Sequence, residues 1–196
     1  MVHKSILFSV TILAALAMAG GAYAESTNIA PLGTAGNDGY WNVWGDPTSY
    51  INDGVWAWNS SNGFHSDGSN DTTRLWVTWT EDYLIDEVEL WHCEAGAQYI
   101  AADYLIQALH ADGNPTVDGD WTTVVNVTGN TNVNPSYTFE PVTTAGIRLL
   151  VTDDGPNAPL RFEELLVYEV PEPASIALLV LGLPGLLRLR RRQGAV

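Results

Sequence analysis

Apolar positions in the middle of the chain alternate with polar ones instead of recurring every three or four residues. In Leu75-Trp76-Val77-Thr78-Trp79, Leu75, Val77 and Trp79 fall on one face, the period of two that marks a strand with one buried side. Leu84, Val88 and Leu90 share a second such face, with Glu87, Glu89 and Trp91 opposite. Tyr104 to His110, Trp121 to Val127, Ile147 to Thr152 and Phe162 to Tyr168 complete a set of short strands. Turn clusters such as Ala111-Asp112-Gly113-Asn114-Pro115 and Asp153-Asp154-Gly155-Pro156 separate them, and this spacing predicts an all-β sandwich. The segment from Gly96 to Leu109 is also compatible with a short helix, because its Ala and Gln residues tolerate one. The stretch from Asn59 to Thr73 is almost entirely Asn, Ser, Gly, Asp and Thr around Phe64 and His65. It reads as a long exposed loop, the kind of segment that carries binding when a rigid scaffold fixes its ends. There is no internal repeat and no helical heptad.

Two continuous apolar runs break the alternation, one at each end. At the start, Lys4 precedes the run from Ile6 to Met18, and Ala22-Tyr23-Ala24 follows with small residues flanking one aromatic. A positive segment, an apolar segment and an A-x-A site in that order make a cleavable secretory signal over residues 1–24. At the other end, Pro171-Glu172-Pro173 leads into an apolar run from Ile176 to Leu187, closed by Arg188, Arg190, Arg191 and Arg192. Two prolines one residue apart uncouple this tail from whatever precedes it. The 14 residues from Ala174 to Leu187 span about 21 Å as a helix, short of the roughly 30 Å hydrocarbon core. Snorkelling arginines and local thinning of the bilayer make up the difference. The positive residues put the C-terminus in the cytoplasm and the body outside.

The Pro-Glu-Pro triplet, the single short apolar helix and the terminal Arg cluster together resemble the PEP-CTERM sorting signal of Gram-negative bacteria. The resemblance covers residues 170–196. It implies recognition by an exosortase-type membrane transpeptidase, which cuts near the triplet in bacteria that make exopolysaccharide. The protein is then anchored in the membrane through its C-terminal helix before processing, and ends at the cell surface or in the extracellular matrix. Gly182, Pro184 and Gly185 interrupt the helix and weaken it as a permanent span.

Charge narrows the partners of the body. Between Glu25 and Val170 stand three arginines (Arg74, Arg148, Arg161) and 22 carboxylates, a net charge of −19 with His neutral. Such a surface repels nucleic acid phosphates and anionic lipid, and suits cations, neutral sugars or simple solubility. One cysteine, Cys93, excludes an internal disulfide framework.

Several stretches of residues 25–169, taken in order, resemble the discoidin, or coagulation-factor C-type, domain of the galactose-binding-like superfamily. They are Asn28-Ile29-Ala30, the Ile51-Asn52-Asp53-Gly54 turn, Tyr83 to Leu90, Asp103 to Gln107, Ala111-Asp112-Gly113 followed by Trp121, Ala145 to Leu149 with Arg148, and Phe162 to Tyr168. The resemblance implies a jelly-roll of two packed antiparallel sheets, often with a structural Ca2+. Carried over by position, Asp53 and Glu164 are its side-chain ligands, assisted by carbonyls of the Asn52–Gly54 turn, and the oxygen donors match what Ca2+ takes. Read from the residues alone, Asp53 is equally an Asx-turn former and Glu164 a surface strand residue. The resemblance also implies carbohydrate binding through loops at one end of the sandwich. Trp41, Trp44, Trp56, Trp58, Phe64 and His65 fall in early loops where rings could stack on sugars and His could hydrogen-bond hydroxyls; against this, large aromatics usually pack, and Trp56 or Trp58 would then simply cover the sandwich end.

Catalytic patterns are lacking. His92 and Cys93 are strand neighbours and point to opposite faces, no His pair has zinc-binding spacing, and neither G-x-S-x-G nor a P-loop occurs. The sequence thus reads as a non-catalytic, exported and surface-sorted protein that binds or organises extracellular polysaccharide. The alternatives are a structural matrix protein without a small ligand and, less favoured, a glycan-active enzyme.

Overall fold

The computed structural model describes residues 26–38, 47–55, 63–66, 72–92, 99–155 and 160–171. Eight strands follow in order: β1 Thr27–Asn28, β2 Thr34–Asp38, β3 Phe64–His65, β4 Thr73–His92, β5 Asp103–Leu109, β6 Trp121–Val127, β7 Ser136–Asp153 and β8 Arg161–Glu169. Short 3-10 turns occupy Ala30–Leu32, Pro47–Asn52 and Asp118–Asp120. Thr27–Val170 form one compact unit.

All strand pairs are antiparallel, and β4 and β7 are long enough to belong to two layers. In the first layer, residues 73–78 of β4 lie between β2 and residues 146–151 of β7, and β5 and β6 continue the sheet. In the second, residues 83–92 of β4 lie between the first half of β7 and β8, whose far side is edged by β1 and β3. The ladder between β4 and β7 is interrupted between Thr78 and Tyr83, where both strands turn from one layer into the other. The layers face each other. Leu75 and Leu149 of the first and Leu90, Phe162 and Leu165 of the second line one narrow cavity of about 10 Å³ together with Ile51 and Glu164. This is the jelly-roll sandwich that the resemblance implies.

Alternation explains most of the core. Thr73, Leu75, Val77 and Trp79 point inward, as do Tyr104, Ile106 and Ala108 on β5. The segment from Gly96 to Leu109 therefore ends in a strand; the helical option is excluded over residues 103–109. Between Ile85 and Glu87 the register slips by a bulge, and this corrects one sequence expectation. Ile85, not Leu84, joins Val88 and Leu90 in the core, while Leu84 is 42% exposed. One extra residue reverses the facing of every side chain before it.

Strand β3 is a second correction. Within the expected Asn59-to-Thr73 loop, Phe64 and His65 pair with Phe162 and Arg161 of β8. Phe64 is 0% exposed and part of the core, so its ring has no face free for a sugar.

Candidate functional site

Among the buried polar atoms without partners in the described residues, Glu164 Oε2 lies at one place of interest and His65 Nδ1 and Arg161 Nε at another. The first is the turn after Pro47–Asn52. Asn52 Nδ2 donates to the carbonyls of Ala30 (2.9 Å) and Gly33 (3.1 Å), which ties the turn to the start of the chain. Asn28 Oδ1 accepts from Val167 N (3.1 Å) and so ties that start to β8. Gly54, at φ +76, adopts the left-handed conformation that glycine favours, and its N–H donates to Glu164 Oε1 (3.0 Å). Asp53 Oδ1 accepts from Val55 N (2.8 Å), an Asx turn. Glu164 is 0% exposed, not a surface residue, and its Oε2 has no partner among the described residues. Burial pushes its carboxyl up to about 7; the backbone amides of Gly54 and, more weakly, Asp53 oppose this, and the charge of Asp53 adds to it.

These are the residues the sequence proposed for Ca2+, and the structure brings them together. A buried carboxylate oxygen without a donor, facing a glycine turn, suits a hard cation. The described residues contain no cluster of three or more acidic, His or Cys side chains that could hold a metal. Carbonyls and water would therefore supply the remaining ligands.

The second place is the end of the sandwich where β8 begins and β3 and β7 end. Ser66 N donates to Leu160 O, and Leu160 N donates back to Ser66 Oγ, both at 3.0 Å. The Ser66 hydroxyl donates to Asp154 Oδ2 (3.0 Å). Arg161 N donates to Tyr99 O (3.1 Å), and the Arg161 guanidinium lies 4.0 Å over the Tyr99 ring, a cation–π stack. Gly155, at φ +81, approaches so closely that a Cβ there would sit 2.6 Å from Ile100 O. Four segments remote in sequence (64–66, 99–100, 154–155 and 160–161) are thereby locked side by side.

Their polar atoms are not all used. His65 Nδ1 and Arg161 Nε are buried and without partners among the described residues. Burial, and then the positive charge of Arg161, lower the pKa of His65, so its imidazole is neutral, able to accept at one nitrogen and donate at the other. A neutral imidazole, a guanidinium, a hydroxyl and a carboxylate on a fixed frame form a donor and acceptor set fit for hydroxyl-rich ligands. One strand away, His92 is a core residue: its ring lies 4.4 Å from that of Phe162 and Nδ1 is 2.8 Å from Val133 O. Burial lowers its pKa to about 4.

Of the residues proposed for ligand contact, His65 lies in this cluster and Phe64 does not. Trp41, Trp44, Trp56 and Trp58 lie outside the described residues, as do Glu172, Pro173, Arg188, Arg190, Arg191 and Arg192 of the tail and residues 1–24. No helix among the described residues is long and apolar enough to cross a membrane. Sequence reasoning missed Ser66, Tyr99, Asp154 and Arg161. Ser66 left a trace only as part of the Asn59-to-Thr73 loop, Asp154 only within a turn cluster, and Arg161 as a rare cation opening a strand in an acidic chain.

No protein-family model and no curated protein matches the chain. Solved structures do. Chitosan-binding module 1 from a chitosanase/glucanase of Paenibacillus sp. IK-5 superposes with TM-score 0.60 at 25% identity, over 72% of this chain and 98% of that one. Module 2 of the same enzyme, solved with chitotriose, gives 0.60 at 18% identity over 72% and 99%. The family 32 carbohydrate-binding module of C. perfringens NanJ, solved with galactose, gives 0.59 at 22% identity over 74% and 99%. The described body therefore has the fold of these modules from end to end.

Proposed function

We propose that this protein is a non-catalytic carbohydrate-binding module, exported and sorted to the cell surface, which holds extracellular polysaccharide at the Arg161 end of its sandwich. The observation that carries this reading is the cluster of His65, Ser66, Tyr99, Asp154 and Arg161 on a rigid frame, with two buried polar atoms, His65 Nδ1 and Arg161 Nε, lacking partners among the described residues. Neighbours of the same fold that were solved with galactose and with chitotriose support it. Trp41, Trp44, Trp56 and Trp58 are the rings proposed to stack on sugar faces. Binding to a glycan array tests the reading: the wild type should bind a defined set of glycans, and Trp56→Ala or Trp58→Ala should weaken it. An array without signal removes the proposal.

Calcium belongs to the same reading. Asp53, Glu164 and carbonyls of residues 52–54 would hold it, and a bound cation would fix the early turn against β8. For sorting, the Pro171-Glu172-Pro173 triplet and the Arg188 to Arg192 cluster are proposed as the exosortase signal. Replacing the triplet by Ala should leave uncut precursor in the membrane of the native host; normal processing would count against that role.

A further inference from the structure

Residues 25–170 contain three arginines and no lysine, and the fold treats the three unequally. Arg74 pairs with Asp38 (2.7 Å) and Asp118 (2.8 Å), and Arg148 pairs with Asp118 (2.8 Å). Arg161 forms no ion pair among the described residues, although 22 carboxylates share the body with it. Asp154 belongs to the same end of the sandwich, yet its Oδ2 accepts from the Ser66 hydroxyl (3.0 Å) and does not bridge to Arg161.

What Arg161 lacks is specific. Its guanidinium lies 4.0 Å over the Tyr99 ring, which covers one flat face, while its N–H bonds point outward in the guanidinium plane. Nε is buried and has no partner among the described residues, and the side chain is half-buried. The ring answers part of the charge but accepts none of the in-plane N–H groups. His65 stands directly opposite Arg161 in the β3–β8 pair, so the two side chains share a face. Its neutral imidazole brings no counter-charge. Two oxygens in one plane with a negative charge meet the edge of a guanidinium bidentately, which a hydroxyl does not.

We infer that Arg161 selects sugars bearing an anionic group, a uronate carboxylate or a sulfate ester, and pairs with that group through Nε–H and one Nη–H; this rests on the glycan site proposed above and names its substrate class. The choice follows from charge. A neutral sugar leaves the Arg161 charge uncompensated, and a cationic one opposes it. The acidic body repels anions at long range, but at about 0.15 M salt the Debye length is about 8 Å. Carboxylates scattered over the surface therefore act weakly on a group in direct contact with a half-buried guanidinium.

Binding of the full chain, in non-ionic detergent at physiological salt, to immobilised polymers in matched pairs tests the inference. One pair is polygalacturonate and its neutral methyl ester; the other is a sulfated galactan and its desulfated form. At least one anionic polymer should bind the wild type roughly tenfold or more tightly than its neutral twin, and the pair that shows this tells carboxylate from sulfate. Arg161→Gln, which keeps amide donors and removes the charge, should bring that pair to within about twofold, with circular dichroism checking that the variant is folded. A wild type that binds charged and neutral twins alike, or an Arg161→Gln that keeps the full preference, would overturn the inference and leave glycan binding standing. A wild type that binds none of the four polymers would also overturn it, and the glycan array then decides separately whether the binding proposal survives.

Discussion

Arg148 and Arg161 are two of the three cations in the acidic body, and their surroundings differ in kind. Arg148 stands on the outer side of the first layer with 1% of its side chain exposed. Nε and Nη2 donate to Gln107 Oε1 (2.9 and 2.7 Å), Nη1 donates to Asp118 Oδ1 (2.8 Å), and the guanidinium lies 4.7 Å from the Trp121 ring centre. Arg74 completes the arrangement by bridging Asp118 and Asp38; hydrogen bonds from Arg74 and then Arg148 hold the Asp118 carboxyl below its ordinary pKa. Arg161 has a ring to stack on, but among the described residues its Nε has no partner, and neither has Nδ1 of His65 beside it. A buried polar atom without a partner costs about 1–3 kcal/mol, and this difference is why Arg161, not Arg148, is the proposed point of ligand contact.

The contrast breaks most sharply at Arg148. Arg148→Ala should destabilise the fold by about 3–5 kcal/mol, because it leaves the buried Gln107 Oε1 without its donors and opens a void beneath Trp121; Asp118 keeps its bonds from Arg74. Denaturant unfolding measures this, and a loss below about 1 kcal/mol would show that the network is decorative. Arg161→Ala should cost only about 1 kcal/mol of stability, the value of one cation–π stack.

Calcium sharpens the comparison at a third buried charge, Glu164. Chelation should lower the melting temperature of the wild type, and Glu164→Gln should make melting insensitive to chelator. A wild-type melt unchanged by chelator would remove the cation from the account.

A smaller effect lies in pH. His92 has its pKa lowered from 6.5 to about 4 in the fold, so the unfolded chain binds its proton more readily. The stability this neutral imidazole contributes is complete above about pH 6.5 and is lost as pH falls toward 4. Glu164 has the opposite sign. Its pKa is raised from 4.5 to about 7, so its contribution is complete below pH 4.5 and is lost as pH rises through 7. Melting in chelator should therefore decline on both sides of a maximum near pH 5–6, and His92→Phe should flatten the acid limb. An acid limb unchanged in that variant would contradict the assignment.

The legible parts of the fold were those in which one strand buries one face without interruption. Trp121–Val127 was read with its observed bounds, and Leu75, Val77 and Trp79 were assigned to the correct side. The reading failed where the backbone departs from period two. The bulge at residues 85–87 exchanged Leu84 for Ile85. Residues 136–144 of β7 escape the pattern, since Pro141 and a series of threonines conceal a strand at a sheet edge. The Asp53–Glu164 pair was legible through the resemblance, although Glu164 lies buried and not on the surface. The Arg161 cluster was not legible, for a topological reason: Ser66, Tyr99, Asp154 and Arg161 meet only after β8 has paired with β3. Phe64 and His65 illustrate the limit within two residues, because strand alternation sends the first to the core and the second to the Arg161 side.

The most direct measurement is affinity electrophoresis of wild type, Arg161→Ala and Arg148→Ala through gels cast with galactose- and glucosamine-containing polysaccharides. The account predicts that at least one polysaccharide retards the wild type, that Arg161→Ala loses roughly tenfold or more of this affinity while still folded, and that folded Arg148→Ala keeps it. Equal retardation of wild type and Arg161→Ala, or free migration of the wild type through every gel, would contradict it.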